Sequence, residues 1–228
     1  MKALLYKEFK LAMHPICYLF IILFPFMVLI PSYPTAIGFI YVLSCYPILF
    51  LGANKGQQSN DLLFSTLLPV RKKDIVLARI ITVAVMQFAF MAIMSCLFPL
   101  AYFTHSVATV EETTGELVKV NIGFGMDAYV LTLAIAVVGF AFADLIFFPI
   151  YYKHGKSIVL STLMMILGFV VYLGVFTIAL PYIIGIDKAN SIPIWIQFIA
   201  FAGSLIIYAF MHFFVYLISA KRLEKVDF

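Results

Sequence analysis

The chain has 228 residues, of which 64% are hydrophobic and only 11% are charged, and its formal net charge is +4. A soluble domain is closer to half apolar and a quarter charged, so this composition excludes a soluble enzyme, a disordered chain and a nucleic-acid-binding domain. The three cysteines, Cys17, Cys45 and Cys96, are far apart in apolar runs, and they predict neither a disulfide framework nor a metal site.

The chain begins with a short amphipathic segment. Leu5, Phe9 and Met13 fall on one helical face, Lys7 and Lys10 lie roughly opposite, and a proline follows. Helices of this kind lie in the membrane interface, with their lysines at anionic headgroups. We therefore predict an amphipathic interfacial helix over residues 1–14. A plain N-terminal extension of the first span is the alternative.

Six apolar segments follow, each long enough to cross a bilayer. A span needs about 20 residues, and in hydrocarbon a helix satisfies its own backbone hydrogen bonds. No Asp, Glu, Lys or Arg occurs from Leu11 to Asn54, and Ser32 to Pro34 divides this run in two. The predicted fold is an all-α integral membrane protein, one domain over residues 1–228. The six transmembrane helices are expected at about 15–32, 35–53, 80–103, 128–152, 157–184 and 193–219.

The positive charges predict the orientation of the chain. If both termini are cytoplasmic, all 15 Lys and Arg residues except Lys119 and Lys188 fall in cytoplasmic segments. Cytoplasmic loops of membrane proteins are enriched in Lys and Arg, so we predict that both termini are cytoplasmic. The two long loops are then a cytoplasmic loop at 54–79 and an extracellular loop at 104–127.

The cytoplasmic loop 54–79 contains a short apolar helix and a basic cluster. Asn60 or Asp61 can cap this helix, and Pro69 ends it. Such a helix either lies against the membrane or inserts into a groove of a cytosolic partner. A solvated turn would explain the basic residues but not the leucines. The candidate docking residues are Asp61, Leu62, Leu63, Phe64, Leu67, Leu68, Pro69, Arg71, Lys72 and Lys73.

The extracellular loop predicts a small β-hairpin between spans 3 and 4. Ala108–Glu112 and Glu116–Val120 read as two short strands, and Thr113-Thr114-Gly115 lies between them as the turn.

Two segments resemble ABC-2 type permeases, the membrane subunits of ATP-binding-cassette exporters. Leu67–Arg79 is similar to the LPxxRxxIVxxK passage of that family. Phe148–Lys156 resembles the lPxyyKfG passage of a subfamily that includes the membrane subunits of the staphylococcal phenol-soluble-modulin exporter. The chain departs from the pattern at Asn54–Gln58, where many relatives carry an acidic residue, and at His154, where Phe is usual.

The resemblance implies a permease that forms a homodimer or heterodimer and pairs with two cytosolic ATPase subunits. It implies that residues 1–14 are the elbow helix of the family, and that Asp61–Leu68 form its coupling helix, which docks in a cleft of the ATPase. The second cytoplasmic loop is a weaker candidate contact, made of Tyr152, Lys153, His154, Gly155 and Lys156. No G-x-x-x-x-G-K-[ST] phosphate loop occurs in the chain, so we expect ATP and Mg to bind on the partner. No catalytic, cofactor or metal site is expected here.

Asp144 is the only carboxylate inside a predicted span. An unpaired charge in a bilayer is costly, so it should face protein or water, or be protonated. We expect it either to pair with Arg79, Lys153 or Lys156 and hold helices together, or to line the pathway and bind a cationic part of a substrate. His212, near the end of the last predicted span, is expected to be an interfacial hydrogen-bonding residue rather than a metal ligand.

The predicted function is a non-catalytic permease subunit of an ATP-driven exporter in the bacterial plasma membrane. The expected cargo is hydrophobic or amphipathic, such as a peptide, toxin or antibiotic, and it would move outward by alternating access. Membrane lipid is an expected partner and nucleic acid is not. Two alternatives stay open: an ion-coupled secondary transporter that uses Asp144, and a non-transporting immunity or scaffold protein.

Overall fold

The computed structural model describes residues 2–13, 15–29, 70–111, 128–154, 158–179, 182–183 and 192–225. These residues form helices and no strands, which confirms the all-α prediction for this part of the chain. The helices are α1 (Lys2–Lys7, continued by a π-helical turn at Glu8–Ala12), α2 (Pro15–Leu23, continued by a 3-10 turn at Phe24–Leu29), α3 (Lys72–Glu111), α4 (Tyr129–His154), α5 (Ile158–Leu173, continued by a π-helical turn at Gly174–Ala179) and α6 (Ile194–Glu224).

Four helices, α3 to α6, are long and apolar enough to cross a membrane. The N-terminal pair Lys2–Lys10 and Pro15–Phe26, bent by 77°, counts as a fifth candidate if it is one broken span. Such a bend also suits an interfacial helix followed by a span, as predicted for residues 1–32. The predicted span at 35–53 and the coupling helix Asp61–Leu68 lie outside the described residues. Six spans and cytoplasmic termini therefore stay predictions.

Helix α3 is longer at both ends than the predicted third span. It begins at Lys72 rather than at the predicted residue 80, because charged residues that flank an apolar stretch can belong to the same helix. It also continues to Glu111. The predicted first strand of the hairpin, Ala108–Glu112, is therefore wrong, since its residues up to Glu111 are helical. Extending an existing helix adds a backbone hydrogen bond per residue without a new nucleus, whereas a lone two-stranded hairpin is marginal. Residues 112–127 lie outside the described part.

Helix α4 is the centre of the bundle. In the α4 candidate span 61% of the residues are buried, against 22% in α6, because α4 packs against both α5 and α6. Its inward side carries the large aromatic residues Phe140, Phe147 and Phe148, all of which are fully buried. Thr132 and Asp144 of α4 are therefore buried, whereas Lys153 near the end of the helix is exposed.

Small residues let α5 approach α4 closely. A Cβ atom added at Gly139 of α4 would lie 2.9 Å from Tyr172 Cε1 and 3.0 Å from Phe169 Cε2. The Tyr172 ring is fixed, because its hydroxyl donates to the Ile135 carbonyl oxygen at 2.8 Å. Gly203 of α6 is a matched contrast, since an added Cβ meets nothing within 4 Å.

Gly139→Ala is therefore expected to destabilise the subunit by about 1–3 kcal/mol, the usual cost of overpacking. Gly203→Ala is expected to cause no loss. Both variants gain the same helix propensity of about 1 kcal/mol, so their difference isolates the clash with the aromatic rings. The free energy of unfolding of the purified subunit in detergent measures this difference. Equal values for the two variants would contradict the described α4–α5 packing.

Candidate functional site

Two clusters of buried polar side chains connect different helices of the bundle. The Asp144 cluster consists of Gln87 of α3, Asp144 of α4, and Tyr208 and His212 of α6, and all four are buried. The Arg79 cluster consists of Glu8 at the end of α1, Arg79 of α3 and Tyr151 of α4, also buried. Along α3 the clusters are about 12 Å apart, because a helix rises about 1.5 Å per residue.

Asp144 binds two side chains through one carboxylate oxygen. His212 Nε2 lies 2.8 Å from Asp144 Oδ2, and Gln87 Nε2 donates to the same oxygen at 3.1 Å. The carboxylate is 0% exposed, and its other oxygen, Oδ1, has no hydrogen-bond partner among the described residues. The carboxylate thus faces protein, as expected, with one oxygen in use and one unused.

The predicted ion-pair partners of Asp144 are wrong where the structure describes them. Arg79 binds Glu8 instead, and Lys153 is exposed about 13 Å further along α4. Lys156 lies outside the described residues. The partner is His212, which is buried in the bundle.

Tyr208 completes the Asp144 cluster. Its hydroxyl donates to Gln87 Oε1 at 2.5 Å, which leaves the Gln87 amide nitrogen directed at Asp144. The Tyr208 and His212 rings are stacked, with centroids 4.0 Å apart. Hydrogen bonds thus join α3, α4 and α6 across the apolar core.

The Arg79 cluster attaches α1 to the bundle. Arg79 Nε donates to Glu8 Oε2 at 2.9 Å and Arg79 Nη2 donates to Glu8 Oε1 at 3.0 Å, so the pair is bidentate. Arg79 Nη1 also lies 3.5 Å from the Tyr151 hydroxyl, at the limit of a hydrogen bond. Beside the ion pair, Leu4 packs on Ile75 and Ala78. Separating a buried ion pair leaves a desolvated charge without its partner. The Glu8–Arg79 pair should therefore hold α1 firmly against α3.

Further polar contacts tie the end of α6 to α3 and α4. Arg222 Nη1 donates to the Pro149 carbonyl oxygen at 2.6 Å. Lys73 at the start of α3 lies 3.5 Å from Glu224, with both side chains well exposed. The start of α3 and the ends of α1, α4 and α6 therefore meet at one end of the bundle.

The predicted docking residues fall at this same end where the structure describes them. Arg71 precedes α3, and Lys72 and Lys73 begin it. At the end of α4, Tyr152 is buried and Lys153 is exposed, and His154 is the last helical residue. The other predicted residues, Asp61, Leu62, Leu63, Phe64, Leu67, Leu68, Pro69, Gly155 and Lys156, lie outside the described part of the chain.

Three residues of the two clusters are not among the predicted site residues, although the sequence around each indicates a buried polar contact. Gln87 is the only amide side chain between Ile80 and Phe103. Glu8 is the only acidic residue of the N-terminal amphipathic segment. Tyr208 precedes His212 by one helical turn, so the two share a face of α6. A polar side chain in an apolar span or on an apolar face predicts a buried partner, but not which one.

Comparison with known proteins places the chain in a family. Residues 3–222 match the family model described as ABC-2 family transporter protein. No curated protein and no solved structure matches the chain. The matched region contains the span candidates of α3, α4 and α5 in full and that of α6 up to residue 222, and these are the spans of a multi-pass membrane protein. Because the match covers nearly the whole sequence, the chain belongs to the ABC-2 family of transporter proteins, as a non-catalytic membrane permease.

Proposed function

We propose that this protein is the permease subunit of an ATP-driven exporter in the bacterial plasma membrane. The observation that carries the proposal is the family match over residues 3–222, since ABC-2 permeases associate with an ABC ATPase. ATP and Mg bind on that ATPase, and a second permease subunit, identical or related, completes the pathway. The resemblance of Phe148–Lys156 to the phenol-soluble-modulin permeases supports a hydrophobic or amphipathic cargo, such as a peptide, toxin or antibiotic, that moves outward.

The Arg79 cluster supports a route by which ATPase movement reaches the spans. The proposed coupling helix, Asp61–Leu68, directly precedes Arg71 and the start of α3. Arg79, two turns into α3, holds Glu8 of α1 through two hydrogen bonds and approaches Tyr151 of α4. A push on the start of α3 would therefore carry α1 and the end of α4 with it. Such rigid-body movement of helices at an interface is one established form of switching.

The proposal is tested by co-purification with candidate ABC ATPases from the same genome, starting with any that is encoded beside this gene. Leu63→Asp/Leu67→Asp places two charges on the apolar face of the coupling helix, where each should cost about 2 kcal/mol or more in a packed interface. We expect the ATPase to co-purify with the wild type and to be lost from this double variant. Gln58→Asp/Ser65→Asp adds the same two charges away from that face, and it should keep the ATPase bound.

Other outcomes point to the other functions. An ATPase that never binds, across the candidate genes, would overturn the exporter and favour an ion-coupled carrier that uses Asp144. A bound peptide that leaves the ATP turnover of the partner unchanged would favour an immunity or scaffold protein. Equal loss in both double variants would remove the apolar face of the coupling helix from the interface.

A further inference from the structure

The hydrogen bonds around His212 leave one proton to be shared with Asp144. His212 Nδ1 lies 3.0 Å from the Tyr208 carbonyl oxygen, and a carbonyl only accepts, so Nδ1 carries a hydrogen. At the other ring nitrogen, Nε2 and Asp144 Oδ2 are 2.8 Å apart and need one proton between them. We propose that Asp144 and His212 form a buried proton-binding site that holds one proton while α4 and α6 are packed together.

One proton is the occupancy that leaves the pair without net charge. With the proton on nitrogen, the pair is an imidazolium and a carboxylate, and with the proton on oxygen it is a neutral imidazole and a carboxylic acid. Gln87 donates to Oδ2 in both forms. A second proton would give the pair a net charge of one positive, and loss of the proton would give one negative. Either charge would be buried at a carboxyl that is 0% exposed, at a cost of several kcal/mol.

Among the residues that the structure describes, no charged group other than Asp144 and His212 themselves forms an ion pair with either of them. The buried titratable or charged groups that the structure describes on the elements around it are Lys7, Glu8, Arg79, Tyr129, Tyr151, Tyr152, Tyr172 and Tyr208, and Arg222 of α6 is half-buried. Arg79 lies about 12 Å away along α3 and binds Glu8, which is also 3.8 Å from the Lys7 ammonium group. Arg222 is about 15 Å along α6 and binds the Pro149 carbonyl. The proton therefore decides the charge of this part of the core.

If α4 and α6 moved apart, Asp144 and His212 could no longer share a proton. The imidazole and the carboxyl would then each exchange protons with water by itself, and Asp144 Oδ1 would be open to solvent as well. Proton binding thereby favours the packed arrangement of the two helices. The use of this link in transport rests on the proposed alternating access, whereas the proton site itself does not.

The site predicts how stability depends on pH. An unfolded chain holds the corresponding proton only below about pH 6.5, where free histidine is protonated, whereas the folded pair holds it above that pH as well. The folded state then binds more protons, so the folding equilibrium constant of the wild type should fall above about pH 6.5, by up to about tenfold per pH unit. Between about pH 5 and pH 6.5 the pair should contribute no slope.

Asp144→Asn should reverse this dependence. The amide keeps the shape of the carboxyl, but the atom in place of Oδ2 can serve only one of its two partners: as an oxygen it accepts from Gln87, and as a nitrogen it donates to His212 Nε2. The imidazole now has no counter-charge and stays neutral when folded. The unfolded chain then binds more protons below about pH 6.5, so the variant should lose stability on acidification and show no slope above that pH. In Asp144→Asn/His212→Gln neither residue titrates, so this double variant supplies the background slope of all the other groups.

The experiment measures unfolding of the full-length permease in detergent, without an ATPase, between about pH 5 and pH 8. The expected result, relative to the double variant, is loss of wild-type stability towards high pH and loss of Asp144→Asn stability towards low pH. Parallel profiles of the wild type and Asp144→Asn would overturn the proton site, whether or not the double variant folds. Because no ATPase is present, either result leaves the co-purification test of the exporter unaffected.

Discussion

Glu8→Gln is expected to destabilise the folded subunit by about 3–5 kcal/mol, the cost of leaving one charge of a buried ion pair without its partner. Arg79 is 1% exposed and lies within an apolar span, so its guanidinium cannot reach water without moving α3. The glutamine keeps the size of the side chain and removes only the negative charge. The free energy of unfolding of the purified subunit in detergent measures this loss.

Two comparisons sharpen the Glu8 prediction. Glu224→Gln breaks the contact with Lys73, but both side chains are well exposed, so it should cost less than about 1 kcal/mol. Arg79→Gln should cost less than Glu8→Gln, because Glu8 lies on a terminal helix that can swing towards water. In Arg79→Gln, α1 should become sensitive to protease while α3 to α6 stay folded. Equal costs for Glu8→Gln and Glu224→Gln would contradict the buried pair.

Asp144→Asn is expected to lower export about tenfold while leaving the amount of inserted subunit unchanged. The amide has the shape of the carboxyl and keeps a hydrogen bond to Gln87 or to His212, so insertion and packing should persist. Removing the shared proton changes the balance between packed and separated α4 and α6, and a shift of about 1.4 kcal/mol changes that balance tenfold. Uptake of a labelled amphipathic peptide into inverted vesicles that contain the permease and its ATPase measures this rate.

The control for the Asp144 prediction is Ser204→Ala. Ser204 is also buried on α6, but its hydroxyl donates to the Phe201 carbonyl of its own helix, outside the cluster. It should export at the wild-type rate. Wild-type export by Asp144→Asn would remove Asp144 from the transport mechanism and leave it as a structural residue.

The sequence predicts the four long helices well because hydrocarbon imposes one simple rule on the backbone. A charge-free run of sufficient length becomes a helix whatever it packs against. The ends are less predictable, since charged residues such as Lys72 and Glu224 belong to helices that continue beyond the apolar stretch.

The pairings inside the bundle could not be read from the sequence. Asp144 and His212 are 68 residues apart, and Glu8 and Arg79 are 71 apart, so each pair depends on which faces of distant helices meet. Asp144 signals that a partner is needed, because an unpaired carboxylate in a span is costly. Which of Arg79, Lys153 and His212 meets Asp144 depends on which face each helix turns towards its neighbours. The sequence does not indicate these faces, because the spans are apolar on nearly all sides.

The long separation within each pair also sets an order for assembly during synthesis. Domains are completed as the chain emerges, from the N-terminal end onward. Glu8 has no Arg79 to bind until the third predicted span has been made, and Asp144 enters the membrane well before His212 exists. A chain that stalls before α6 therefore carries Asp144 with Gln87 as a hydrogen-bond partner but without His212, the group with which it shares a proton.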